Sequence, residues 1–199
     1  MKDFIDVYKT GAAWHLSRAV LKHLPPISDQ STIAILCIGS DRSTGDSLGP
    51  LVGHRLSKYN AFGACVMGTL EHPVHAGNLE DALNKIQYEI PNNYIIAIDA
   101  CLGISGHIGQ ISVGSGPLKP GAGLKKELPA AGNMHITGIV NYCGWMEFMV
   151  LQNTRLIAMK RIRKSDIFNE LYMELCALFS IRSIHILAIK CTSQLWRKF

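Results

Sequence analysis

Two aspartates, Asp46 and Asp99, stand where a chain could use carboxylates as reagents. Asp46 lies in a glycine- and serine-rich connection, Gly39 to Pro50, that follows the apolar run Ile33 to Ile38. Asp99 closes a second such run, Tyr94 to Ile98. Segments that are apolar at every position are the pattern of strands buried on both faces, so both carboxylates are expected near the carboxyl ends of strands. In a sheet ordered 2-1-3 the two strands are neighbours about 4.8 Å apart, and both side chains face one crevice at a topological switch point. Close carboxylates split their titrations, because the first charge disfavours the second, which leaves one acid and one base at the same pH. That is the minimum equipment for activating water. Taken singly, each has a plainer role, Asp46 as a cap of the helix expected at 47–58 and Asp99 as an acceptor for backbone amides of the next loop.

Other residues offer less. Cys101, two residues past Asp99, becomes a nucleophile only if a histidine lowers its pKa, and otherwise is a buried structural thiol. His72 and His75 form an HxxH without further ligands at fixed spacing, which reads as a polar loop beside a proline. Ser43, Thr44 and Gly45 suggest a phosphate loop, but GSDRSTGD has neither the lysine of a P-loop nor GxGxxG spacing. Arg42 either pairs with Asp41 at the surface or reaches the crevice. Lys125 and Lys126, beside PGAG, could hold a substrate carboxylate or carbonyl through charge-assisted bonds.

The elements that must position these groups alternate between helical and strand periodicity. Ala13, Leu16, Val20 and Leu24 predict a helix that stops at Pro25 and Pro26. The first strand, 33–39, is followed by a helix carrying Leu48, Leu51, Val52 and Leu56, a short strand at 64–70, and a helix whose buried face is Leu79, Leu83, Ile86 and Ile90. Asn78, Glu80 and Asp81 mark the start of that helix, with Asn78 as its cap. The strand 94–99 comes next, then an alternating one at 108–113 nearer an edge, and glycine and proline density predicts a long loop over 114–132. Alternation of this kind implies crossover units, a mostly parallel doubly wound sheet and helices on both faces, a three-layer α/β/α fold.

Composition narrows the class. With 199 residues, 48% hydrophobic and 18% charged, this is a folded chain of about one domain. Six cysteines (37, 65, 101, 143, 176 and 191) form no CxxC pair, and the N-terminus lacks the basic and apolar stretches of a secretory signal; both point to a reducing cytoplasm without disulfides. The net charge of +5 resides in the tail, because residues 1–157 carry 12 basic and 12 acidic groups and residues 158–199 carry 8 and 3. The expected domain is therefore 1–157, with 158–199 a partly helical basic extension. No nucleic-acid footprint falls on the main domain. Glu174 and Arg182 interrupt the apolar stretches of the tail, so no membrane span is expected. No pattern specifies an oligomeric state.

Longer motifs carry a resemblance. IAILCIGSDRSTGDSLGPLV at 33–52, VMGTLEHPVHAGNL at 66–79, IIAIDACLG at 95–103, GPLKPGAGLKKELP at 116–129 and ITGIVNYCGWMEFMVLQNTRL at 136–156 resemble the YyaC family of sporulation proteins, also called spore protease YyaC. That family in turn is similar to the spore germination protease and, more remotely, to hydrogenase maturation proteases. The resemblance implies that Asp46 and Asp99 are a catalytic pair for peptide-bond hydrolysis, in the cytoplasm of a forespore or spore, with a protein or peptide substrate near Arg42, Lys125 and Lys126. It implies no cofactor through the germination protease. The maturation proteases imply instead a divalent metal, nickel, with His135 joining Asp46 and Asp99 as ligands. A noncatalytic protein that binds a peptide or protein partner in the same crevice is the alternative.

Overall fold

The computed structural model describes residues 2–24, 32–58, 64–121 and 128–143. Lys125 and Lys126, and the extension 158–199, lie outside them. Six strands form one sheet: β1 (Lys2–Asp6), β2 (Thr32–Cys37), β3 (Cys65–Met67), β4 (Asn93–Gly103), β5 (Gln110–Ser115) and β6 (Met134–Tyr142), in the order β1-β5-β6-β4-β2-β3. β3, β2, β4 and β6 are parallel, and β5 runs against both β1 and β6. The helices are α1 (Ala12–His23), α2 (Leu48–Ser57) and α3 (Leu79–Glu89).

The doubly buried strands divide their side chains as a pleated ribbon must. Ile33, Ile35 and Cys37 of β2 and Ile96 and Ile98 of β4 pack on one face with Leu16 and Val20 of α1 and Leu48, Val52 and Leu56 of α2. Ala34, Leu36, Ile95 and Ala97 face the other way, against Leu79, Ala82 and Ile86 of α3. Helices therefore cover both faces, the three-layer arrangement expected, and the sequence-derived order holds at its centre, where β3, β2 and β4 are the second, first and third strands.

Four features differ from the sequence reading. β1 was not expected, because five residues at the chain start, KDFID, carry little apolar signal; it forms by pairing along β5 from Lys2↔Gly114 to Asp6↔Gln110. That pairing places β5 one strand in from the edge. β6 sits inside a family motif, yet its polar His135, Thr137 and Asn141 hide the alternation of a strand. Asn78 occupies the N-cap position of α3 without a side-chain cap bond. Its amide instead accepts from the His75 N–H at 2.8 Å and donates to the Pro73 carbonyl at 3.1 Å, bracing the turn before the helix.

Candidate active site

Asp99 continues the alternation of Ile95 and Ala97 along β4, so its side chain leaves the sheet on the α3 face. It is 7% exposed. One carboxylate oxygen accepts the Ala100 N–H at 2.7 Å. Asp46 ends a 3-10 turn, Thr44–Asp46, in the connection from β2 to α2, and is half-buried.

Close backbone approach brings Asp46 to the sheet. A Cβ on Gly49 would lie 1.9 Å from the Ile38 carbonyl oxygen, so only glycine lets the first turn of α2 rest on the end of β2. Gly39, at φ +138°, would place a Cβ 2.1 Å from the Asp46 carbonyl oxygen. The Ser40 N–H donates to that same carbonyl at 3.1 Å. The loop thus folds back over its own start. Ser47, not Asp46, holds the N-cap position of α2 and makes no side-chain cap bond, which removes capping as the reason for an acid at 46.

The two carboxylates act on one another. Burial pushes Asp99 well above the usual carboxylate range, the charge of Asp46 pushes it further, and the Ala100 amide opposes both. Burial also raises Asp46, against the opposing pull of the Ser40 amide and of His75. Both carboxyls are pushed upward, Asp99 the further, and Asp46 is the one with neighbours that favour its ionised form.

Asp99 has hydroxyl neighbours on the same face. Thr137 of β6 pairs with it across the ladder, Ser112 of β5 pairs with Thr137, and the two hydroxyls are 2.7 Å apart and buried. Neither stood out in the sequence, where isolated Ser and Thr are unremarkable; a polar residue at an inward strand position was the available signal. Cys101, two residues on, hydrogen-bonds Thr137, and its thiol is raised first by burial and also by the Asp99 charge. No imidazole acts on it, so it is a protonated structural thiol.

His135 does not join the pair. It stands opposite Ala97, two ladder positions from Asp99, and its ring lies over β5: a Cβ on Gly114 would be 2.8 Å from its Nε2. Asp99 is on β4, across β6 from that strand. Nδ1 bonds the Gly116 carbonyl at 2.9 Å, and Nε2 is buried without a partner among the described residues. Among the described residues no three His, Cys, Asp or Glu side chains are grouped to hold a metal ion. The donor set expected for nickel, Asp46, Asp99 and His135, does not fit one ion.

Of the remaining candidates, Arg42 is exposed in the Asp46 loop, where its N–H donates to the Ser40 hydroxyl at 3.2 Å. Ser43 has a buried hydroxyl without a partner among the described residues. His72 is exposed, whereas His75 is half-buried and its charge falls on Asp46.

A family model described as "Protein of unknown function (DUF1256)" matches residues 4–167. The chain belongs to this family. It is 49% identical over 149 residues to "Uncharacterized protein YyaC" of Bacillus subtilis (strain 168), across 71% of this chain and 73% of that protein, which bears out the resemblance read from the motifs. The match to the family runs past the expected domain boundary at 157. Among solved structures, a [NiFe] hydrogenase maturation protease, HycI from Thermococcus kodakarensis KOD1, is similar with a TM-score of 0.45 and 15% identity, over 71% of this chain and 92% of that one. No helix among the described residues is long and apolar enough to cross a membrane.

Proposed function

We propose that this protein is a peptidase-like hydrolase of sporulating bacteria that uses Asp46 and Asp99 to add water to a peptide bond. The observation that supports this reading is the pair itself, two carboxyls beyond the carboxyl ends of adjacent parallel strands, one buried and pushed upward, the other less buried and adding to that push. In the reaction Asp46 takes a proton from water as its oxygen attacks the peptide carbonyl carbon. Asp99 gives its proton to the carbonyl oxygen, the proton gained by Asp46 passes to the departing amine as the C–N bond breaks, and Asp99 takes its proton back as the C=O of the acid product re-forms. Thr137 supplies a hydroxyl beside Asp99 on the neighbouring strand. Arg42, with Lys125 and Lys126 outside the described residues, would hold the peptide. No metal enters this scheme.

Replacing Asp46 or Asp99 by Asn removes proton transfer while keeping shape, and is expected to lower hydrolysis of a peptide library about 100-fold or more. Exhaustive chelation is expected to leave turnover unchanged. Full activity in both variants would favour the alternative, a noncatalytic protein that binds a peptide or sporulation partner in the crevice. Turnover lost to chelator and regained with nickel would restore the metal reading.

A further inference from the structure

The sheet ends on β1, which pairs with β5 and has no second strand beside it among the described residues. A cavity of about 670 Å3 lies along this open edge, and Asp3, Phe4, Ile5 and Asp6 all line it. Successive side chains of a strand point to opposite faces, so four neighbours in a row share one cavity only where it meets the backbone edge. There, alternate N–H and C=O groups of β1 lack a ladder partner. The facing wall is α1, through Arg18 and Lys22, and Lys9 joins it from the connection between β1 and α1. Gln110 of β5 lines the cavity too, and its side-chain carbonyl oxygen is buried without a partner among the described residues.

The charges around this groove differ in how far they are already satisfied. Lys22 bonds Asp3 at 3.0 and 3.1 Å, His23 bonds it at 2.8 Å, and Asp6 accepts the Tyr8 N–H at 2.9 Å. Both carboxylates are engaged, so they do not guard the edge as free charges would. Lys9 and Arg18 are exposed, and no carboxylate pairs with either among the described residues. Phe4, Tyr8 and Trp14, three of the six large hydrophobic side chains exposed among the described residues, come from β1, the turn after it and α1. We propose that this groove docks an extended acidic peptide of a partner protein, which adds to the sheet as a strand beside β1 with its carboxylates against Lys9 and Arg18 and its alternate apolar side chains beside Phe4. Such a strand also brings N–H donors to the Gln110 oxygen. A second copy pairing β1 with β1 would set Arg18 and Lys22 against themselves, and residues 158–199, with 8 basic and 3 acidic groups, carry the same sign as the groove. The groove lies three strands from β4 and Asp99, so the proposal goes beyond the hydrolase reading and does not rest on it.

The test titrates a fluorescent peptide of alternating glutamate and valine into the full chain by anisotropy, with the lysine–valine counterpart as control. The glutamate peptide is expected to bind about tenfold or more tightly than the lysine peptide, and Arg18→Glu and Lys9→Glu are each expected to weaken it about tenfold. Both side chains are exposed, and the variants are read separately, so a misfolded one leaves the other to decide. Amide exchange in β1 supplies a readout that diffuse charge attraction does not move: the alternate amides open to solvent slow on binding, while those bonded to β5 are slow already. Equal affinity for the two peptides, unchanged exchange in β1, or no binding overturns the proposal. A dimer in sedimentation that protects the same amides makes a second copy the occupant and overturns it too. Loss of binding in Asp99→Asn would place the peptide in the carboxylate crevice instead, with the same consequence.

Discussion

The burial of Asp99 makes a quantitative demand on stability. In the unfolded chain this carboxyl has its ordinary value of 3.8, and in the folded protein burial first, then the charge of Asp46, raise it well above that. The folded state therefore binds the proton more tightly than the unfolded state. Its contribution to stability is fully present below the unfolded value and is lost as pH rises through the folded one. The loss at any pH cannot exceed the free energy of protonating an ordinary carboxyl there, at 1.36 kcal/mol for each unit above 3.8, which is about 4 kcal/mol at about pH 7. Asp99→Asn abolishes the titration and keeps an oxygen that can accept the Ala100 N–H. The variant is expected to equal the wild type at about pH 3.5 and to be more stable by about 1–3 kcal/mol at about pH 7, a part of that ceiling. Urea unfolding of both proteins at the two pH values, followed by circular dichroism, measures the difference of differences. Equal gaps at both pH values, or a variant weaker at the higher pH, would refute the reasoning, because either result means that folding does not move the carboxyl as described.

Three further outcomes follow from the same geometry. Gly49→Ala drives a Cβ into the Ile38 carbonyl and is expected to cost about 3 kcal/mol or more, read as a lowered urea midpoint. Burial pushes His135 below its ordinary 6.5, so the unfolded state binds its proton first and stability falls as pH drops below that value; His135→Asn, which keeps a donor for the Gly116 carbonyl, should remove up to about 2 kcal/mol of this loss at about pH 5. Ending the chain after Ile167, where the family match stops, is expected to leave a folded domain with the acidic crevice, and a molten truncation by near-UV circular dichroism would place the tail in the core.

The centre of the sheet was legible because β2 and β4 are apolar at every position, a pattern that admits few structures and that fixes which strands lie deepest. Once β3, β2 and β4 are ordered, Asp46 and Asp99 must approach the same end, so the approach of the two carboxylates was readable from the same residues as the fold. The edge was not. β1 is a strand because β5 offers it a partner, a long-range reason that no local window of KDFID contains. Glycine and proline density after residue 113 did not foresee that Gly114 and Ser115 complete β5, and β6 was hidden by its polar His135, Thr137 and Asn141. His135 entered as a ligand only through the resemblance to maturation proteases, whereas the structure puts its ring over β5.

The same electrostatics bear on the choice between catalysis and binding. A crevice that only captures peptides gains little from a buried aspartate, since a protonated carboxyl there binds no more than an asparagine would. It also lowers stability at neutral pH, and a crevice with a neutral amide at 99 would avoid that loss. Water activation, in contrast, needs one carboxyl that carries a proton and one that does not, at one pH and in one place. Burying Asp99 on β4 and placing Asp46 on a loop where the Ser40 amide and His75 favour its charge creates that difference from two identical side chains. A fully exposed pair would ionise together, and a fully buried pair would both stay neutral. The asymmetry of burial is therefore the feature that favours hydrolysis, and it makes Asp99→Asn the informative variant, expected to gain stability and lose turnover in a single substitution.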